Sequence, residues 1–333
     1  MRNERSSGRN RTAPFRARLS RSGQPRAEAR GSGTAARQTG GSSTTKPGAP
    51  EGPTAESKYA RVLEALRELP GAVVAFSGGV DSSLLLRAAK DALGEKVLAV
   101  TARSPTYTAS EEECAREVAR LLGAAHRVVE TDELDDPEFR KNPPTRCFAC
   151  KRELFAKLRA LAVAQGGWEV LEGANADDRR DYRPGRRAAH EARVPSPLAA
   201  AGLTKAEIRE LARARGLPNW DAPSQACLAS RLPYGVEITV ERLERIGKAE
   251  AALRALGFAV VRVRDHGEVA RLEVGVDDLA RLFDPALRDS AVRAVKEAGF
   301  VYVALDLEGY RTGAMNEVLA GKMKPPMDTD GHR

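Results

Sequence analysis

Residues 72–83, Ala-Val-Val-Ala-Phe-Ser-Gly-Gly-Val-Asp-Ser-Ser, constrain the fold of this chain more than any other stretch. A short apolar strand, Val73 to Phe76, runs into Ser77-Gly78-Gly79 and Asp81-Ser82-Ser83, and an apolar helical run begins at Leu84. Two glycines let backbone N–H groups approach an anion closely. The helix that follows aims the positive end of its dipole at the same place. The serines add hydroxyl donors, and the pyrophosphate of ATP suits such a cradle. No Gly-Lys-Ser/Thr follows, so this is not the Walker arrangement. The plain alternative is an ordinary strand–turn–helix with glycines at the turn.

The pattern Ser-Gly-Gly-x-Asp-Ser after a strand resembles the PP-loop of ATP pyrophosphatases. That resemblance implies cleavage of ATP to AMP and pyrophosphate by adenylation of a substrate oxygen. It places Ser77, Gly78, Gly79, Asp81, Ser82 and Ser83 at the nucleotide.

The surrounding pattern is that of an α/β protein. An opening helix is expected over Lys58–Leu69, and strands over Val73–Phe76, Lys96–Thr101, His126–Val129 and Trp168–Leu171. Helices are expected from Ser110 to Gly123, with Ser110 as cap and a Glu three residues on, from Cys150 to Ala164, and from the Thr204–Glu207 capping box to Gly216. Strands alternating with helices of this length predict a doubly wound parallel sheet of PP-loop ATP pyrophosphatase type, with ligands at the carboxyl ends of the strands. A smaller C-terminal α+β unit begins near Thr239. It contains a helix to Leu256, strands at Val260–Arg264 and Ala270–Val274 about a turn at His266-Gly267-Glu268, a helix over Pro285–Glu297 capped by Asp284, and a strand from Phe300 to Leu305. Its small sheet is expected to be mostly antiparallel. The expected organisation is a basic disordered tail (1–56), a PP-loop domain (57–236), a C-terminal substrate and oligomerisation domain (237–313) and a fraying end (314–333).

The whole chain has 333 residues and a net charge of +8. Residues 1–50 hold ten arginines and one lysine against two glutamates, a net +9, so the other 283 residues carry −1. The folded part is therefore near neutral, and the basic balance says little about its partners. The tail has too few large apolar residues to offset its ordering entropy, and no apolar segment of a secretory signal. No run of about 18 apolar residues is present, so no membrane span is expected. Four cysteines in a chain of this length are not a disulfide framework, which points to a reducing cytoplasm.

Cys147-Phe-Ala-Cys150 has the spacing of a redox dithiol, half a zinc site or two iron–sulfur ligands. Cys227 lies in a loop-like segment, Trp220 to Gly235, with Pro223, Pro233 and nearby Arg231, which favours a thiolate. Cys114 falls within a helix, where packing is its expected role. Asn175, Asp177 and Asp178 follow a strand at the ligand edge and suit Mg²⁺ or substrate positioning; a capped turn accounts for them equally well. Arg262 and Arg264 share one face of a strand and could clamp an anion, or lie on a solvated face. Arg183, Arg186, Arg187 and Arg193 read as exposed surface.

From about Lys58 to Gly313 the chain resembles the ATP-dependent sacrificial sulfur transferases that build the nickel-pincer nucleotide cofactor of lactate racemase. The carrying motifs are Ser77–Ser83, Arg146-Cys-Phe-Ala-Cys-Lys-Arg-Glu-Leu154, Glu172-Gly-Ala-Asn-Ala-Asp-Asp178, Asp181-Tyr-Arg-Pro-Gly185, Ala226-Cys-Leu-Ala-Ser-Arg-Leu-Pro-Tyr-Gly235 and Arg262-Val-Arg-Asp-His-Gly267. The resemblance implies a small nucleotide substrate, pyridinium-3,5-dicarboxylate mononucleotide, with ATP and Mg²⁺ as co-substrates. Each carboxylate is adenylated and then converted to a thiocarboxylate. It also implies a homo-oligomer, Arg231, Arg262 and Arg264 at substrate, and Lys151 at AMP phosphate or a thiolate. Members with one cysteine sacrifice it as the sulfur source, which would be Cys227 here. Members with three hold a [4Fe–4S] cluster with one open iron site. Cys147, Cys150 and Cys227 match the latter kind, since three ligands leave one cluster site free. A zinc site completed by His190 or His266 is the structural alternative. Competing functions are a PP-loop tRNA thiolase, an amidating synthetase and a non-catalytic ATP-binding adaptor. The near-neutral core counts against nucleic acid.

Overall fold

A computed structural model describes residues 52–179, 184–223 and 226–319 of the chain. Expectations for residues 1–51, for Asp181 to Arg183 and for residues 320–333 lie outside the described residues. The described residues form one compact unit.

The helices are α1 (Ala55–Arg67), α2 (Val80–Leu93), α3 (Ala109–Leu121), α4 (Pro137–Arg140), α5 (Arg146–Ala164), α6 (Pro184–Glu191), α7 (Pro197–Ala200), α8 (Lys205–Ala214), α9 (Val240–Ala255) and α10 (Pro285–Glu297). The strands are β1 (Ala72–Ala75), β2 (Val97–Arg103), β3 (Ala125–Glu130), β4 (Glu169–Glu172), β5 (Val261–His266), β6 (Val269–Val274) and β7 (Tyr302–Leu305).

The first four strands form a parallel sheet in the order β3-β2-β1-β4. Around β1, β2 and β4 it is covered on both faces, as a parallel sheet requires, while β3 is a more exposed edge. Because side chains alternate along a strand, Ala72 and Val74 pack with Leu66 of α1, Leu84 and Leu85 of α2 and Ile208 of α8. Val73 joins Val100 and Val170 on the opposite face, under Phe155 and Leu158 of α5. A separate apolar cluster joins α9 and α10 to β5 and β6, and takes in Leu228 and Leu232 from the segment after Cys227.

Several expectations need correction. Helix α1 begins at Ala55, capped by Thr54, inside the stretch read as tail. The capping box of α3 is Thr108–Glu111 rather than one starting at Ser110, because Thr108 accepts the Glu111 N–H while Glu111 reaches back to the Thr108 N–H. Helix α5 starts at Arg146, four residues before the expected Cys150, so both cysteines of the pair lie in its opening turns. The small sheet, β5-β6-β7, is not mostly antiparallel: β5 and β6 form a hairpin, but β7 returns through α10 and pairs parallel to β6. A crossover helix brings a strand back in the same direction, a connection a hairpin turn cannot make. The Thr204–Glu207 capping box and the Asp284 cap with Pro285 at the first helical position are as expected.

Close backbone approach fixes where β1 and β4 end. A Cβ on Gly173, one residue past β4, would sit 2.9 Å from the Ser82 nitrogen in the first turn of α2. The contact is with backbone, so it cannot be relieved by a rotamer change. Gly173→Ala is expected to destabilise the protein by about 1–3 kcal/mol in urea unfolding and to weaken ATP binding, because either β4 or the start of α2 must shift. An unchanged unfolding midpoint would contradict this packing.

Candidate active site

Beyond the carboxyl ends of β1, β2 and β4 lies a cavity of about 800 Å³, within the size range of small-molecule sites. Its wall includes Ser77, Gly79, Asp81 and Ser82 from the loop after β1, and Cys147, Cys150 and Cys227 from two later segments. The phosphate-cradle motif and all three cysteines of interest therefore face one space.

The loop after β1 is held by glycine geometry and one asparagine. Gly78 has φ +73°, and a Cβ there would lie 3.0 Å from the Ala115 backbone in α3, so both conformation and space demand glycine. Gly79 caps α2, and its N–H points to Ser77 Oγ at 3.3 Å. Ser82 donates to the Gly79 carbonyl at 3.0 Å. Behind the loop, buried Asn219 donates to the Gly78 carbonyl at 2.6 Å and to Ser83 Oγ at 2.9 Å. Gly78 and Ser83, expected at the nucleotide, are thus not part of the wall. They shape the loop from behind, since Ser83 lies three residues into α2 on its inward face. Asn219 was missed in the sequence because nothing about an asparagine after Leu217-Pro218 signals a partner 141 residues away.

Acidic and basic groups pair across the cavity floor. Lys205, at the start of α8, forms a salt bridge with Asp81, and Asn175 Nδ2 lies 3.5 Å from the other Asp81 oxygen. Lys151 bonds Glu172 at 2.6 Å. Asn175 and Asp177 close a turn: Asn175 Oδ1 accepts the Asp177 N–H at 2.9 Å, and Asp177 accepts the Lys205 N–H at 2.8 Å. Asp178 receives the Asn175 N–H at 3.0 Å and stands on the cavity wall. Asp81 and Asp178 bring carboxylate oxygens, the hard donors that Mg²⁺ prefers, to this wall.

The thiols differ from one another. Cys147 is exposed, while Cys150 and Cys227 are partly covered by the C-terminal core. Burial, and then the Glu133 carboxylate, push the Cys150 thiol well up. Tyr107 Oη lies 3.9 Å from its sulfur, and the charge Cys150 would carry, together with burial, raises the phenol well above its usual value. Burial and then Cys147 raise the Cys227 thiol, against the opposing pull of Arg146 and Arg231. The three sulfurs are near enough to sense one another, and three soft donors suit an iron–sulfur cluster in number and kind. Among the described residues, no three His, Cys, Asp or Glu side chains are gathered as a ready-made metal site.

Residues 71–139 match the family model described as queuosine biosynthesis protein QueC. An uncharacterised protein of Synechocystis sp. is 45% identical over 264 residues, which cover 79% of this chain and 98% of that one. The pyridinium-3,5-bisthiocarboxylic acid mononucleotide synthase of Lactiplantibacillus plantarum is 38% identical over 268 residues, 80% of this chain and 96% of the synthase. This chain belongs to that synthase family. It is an ATP-dependent sulfurtransferase of the PP-loop class. A tRNA-specific 2-thiouridylase of Desulforudis audaxviator is 31% identical over 180 residues, but only 51% of that protein is covered.

Three arginines expected at the synthase substrate lie off the cavity wall. Arg231 is buried and forms a two-pronged ion pair with Glu250, at 2.8 and 3.0 Å. Its third nitrogen donates to the carbonyls of Ala226, at 2.5 Å, and Cys227, at 3.1 Å, so it braces the cysteine loop. Arg264 forks Glu273 at 2.8 and 2.6 Å and donates to the Ser230 carbonyl at 2.9 Å. Arg262 is buried over the Tyr310 ring at 5.2 Å, and burial and neighbouring Arg231 depress its guanidinium. Buried carboxylates on α9 and β6 claim Arg231 and Arg264, and period-two spacing carries no sign of them. Among the described residues, the cations on the wall are instead Arg103, Arg146, Lys151, Arg186 and Lys205.

Alkylation of the metal-free protein at neutral pH should modify Cys147 first, with Cys150 and Cys227 following only as the pH is raised. Equal rates at all three sites would contradict the burial order. Burial raises the Glu250 carboxyl, but hydrogen bonds and charge from Arg231 outweigh it and hold it below the usual range. A depressed carboxylate stabilises the fold above its unfolded value of about 4.3 and loses that contribution as pH falls through the folded value. Urea unfolding between pH 3 and 7 should therefore show an acid loss of stability that Glu250→Gln makes shallower.

Proposed function

We propose that this enzyme converts the carboxylates of pyridinium-3,5-dicarboxylate mononucleotide into thiocarboxylates. The observation that carries the reading is the single cavity holding both the PP-loop and Cys147, Cys150 and Cys227. A carboxylate carbon resists nucleophiles because oxide is a very poor leaving group. In the first step a substrate carboxylate oxygen attacks the α-phosphorus of ATP, and the bond to the β-phosphate oxygen breaks. Pyrophosphate leaves, and the acyl group is joined to AMP. In the second step a sulfur nucleophile attacks the acyl carbon, AMP departs with the carboxyl oxygen, and the thiocarboxylate remains. The sequence repeats on the second carboxylate.

The chain's own groups have distinct tasks in this reading. Ser77, Gly79, Ser82 and the α2 terminus cradle the departing pyrophosphate, where N–H dipoles meet developing charge. Asp81 and Asp178 would hold Mg²⁺, which would neutralise phosphate charge. Lys151 and Lys205 exchange their carboxylate partners for phosphate oxygens once ATP is bound. Arg231 keeps Cys227 turned toward the acyl group. Cys147, Cys150 and Cys227 would hold a [4Fe–4S] cluster, which would bind sulfide from solution and pass it on without consuming the protein. In the same reading residues 57–236 serve ATP and residues 237–313 serve substrate and assembly. Exposed Phe283, Leu307 and Tyr302 on the latter support a homo-oligomer. Four unpaired thiols suit a reducing cytoplasm. Among the described residues no helix is long and apolar enough to cross a membrane.

Anaerobic incubation of the cluster-loaded protein with ATP, Mg²⁺, inorganic sulfide and the dicarboxylate mononucleotide, followed by mass spectrometry, is expected to yield AMP, pyrophosphate and a thiocarboxylate whose sulfur comes from the added sulfide, with the polypeptide mass unchanged. Anaerobic reconstitution with iron and sulfide should give broad visible absorption that Cys147→Ala abolishes. Turnover without colour, with loss of H₂S mass at Cys227, would replace the cluster by a sacrificed cysteine. ATP binding without pyrophosphate release would sink the enzymatic reading, and salt-sensitive tRNA thiolation would move the substrate to RNA.

A further inference from the structure

Among the described residues, the cations on the cavity wall are not equivalent. Arg103 pairs with Glu112 and Glu130, Lys151 with Glu172, and Lys205 with Asp81. Arg186 has no carboxylate partner, but it is exposed and water solvates it. Arg146 stands apart. It is only 5% exposed, and no carboxylate pairs with it. The one hydrogen bond of its guanidinium among the described residues runs from Nη1 to the neutral Asn142 amide oxygen, at 3.0 Å. Nε is buried with no acceptor.

A guanidinium taken out of water without a counter-charge is expensive, and buried N–H donors without acceptors are rare. The surroundings hold this costly group in one place. Asn142 is fully buried in the left-handed region, φ +53°, and donates to the Pro233 carbonyl at 2.8 Å. The guanidinium lies 4.9 Å over the Tyr234 ring. One edge is thus clamped and one face stacked. The Nε–Nη2 edge, which forks carboxylates and phosphates, has no acceptor among the described residues. Arg146 is also the first residue of α5, where the helix dipole favours negative charge.

We infer that Arg146 receives an oxyanion of the sulfur-accepting substrate, a carboxylate or a phosphate, beside Cys147 and Cys227. The substrate named here rests on the function proposed above; the need of Arg146 for an anion does not. This assigns to α5 the anion-binding part that Arg231 and Arg264, committed to Glu250 and Glu273, do not play.

The test compares the full-length wild type with Arg146→Met, both saturated with a non-hydrolysable ATP analogue and Mg²⁺ so that the PP-loop is filled. The probes are the dicarboxylate mononucleotide, its riboside without the phosphate, and inorganic phosphate, followed by calorimetry and thermal unfolding. The variant should bind the mononucleotide roughly 10- to 100-fold more weakly, with unchanged affinity for the ATP analogue. Without ligands it should unfold no lower than wild type, since an uncompensated charge has been removed; a purely structural arginine would lower it. Equal losses for mononucleotide and riboside assign the carboxylate, and a loss for the mononucleotide alone assigns the phosphate. If the wild type ignores the mononucleotide yet is stabilised by inorganic phosphate, and the variant is not, Arg146 keeps its role and the substrate reading falls. Equal behaviour of the two proteins toward every probe, or a loss confined to the ATP analogue, overturns the assignment.

Discussion

The buried pair between Arg231 and Glu250 is the interaction on which the site depends. Cys227 caps a single short 3₁₀ turn, Leu228–Arg231, which is too short to hold the cysteine in place by itself. Arg231 donates to the carbonyls of Ala226 and Cys227 while its other edge is fixed by Glu250 on α9. Glu250 also accepts the Val263 N–H, at 3.1 Å. A charge pair of this kind adds little net stability, because both ions lose their hydration. Its effect is positional: the two groups must meet, so the loop must lie where they do.

The C-terminal core acts as the back wall of a site whose front is the parallel sheet. Cys150 and Cys227 pack against that core, while the phosphate cradle belongs to β1 and α2. The Leu228 N–H donates to the Thr106 carbonyl at 2.8 Å and ties the cysteine loop to the turn after β2. In the function proposed above, activation of a carboxylate and delivery of sulfur would then share one space. The same burial holds two thiols in their protonated form until a metal or another partner draws the proton away.

Much of the fold could be read directly. Four apolar strands alternating with helices imposed a parallel sheet, and the glycines of residues 77–83 marked the cradle at its edge. The cysteines were found as chemistry-bearing residues, and their spacing suggested cooperation. Helix boundaries and the direction of β7 were less legible, because capping competes among Thr108, Ser110 and their neighbours, and a short strand carries no mark of its partner's direction.

The sequence by itself determined that a phosphate cradle follows β1 and that three thiols outside it were available for sulfur chemistry. Local patterns carry this information: strand periodicity, glycine at a turn that no other residue can make, and a Cys-x-x-Cys on a helix. Only the tertiary structure decided which charges are spent and which are left to act. Arg231, Arg264 and Arg146 look alike in the chain, yet two meet buried carboxylates and the third meets an uncharged asparagine and a tyrosine ring. The reason is that the energy of a buried charge is set by neighbours distant in sequence, which no local pattern records.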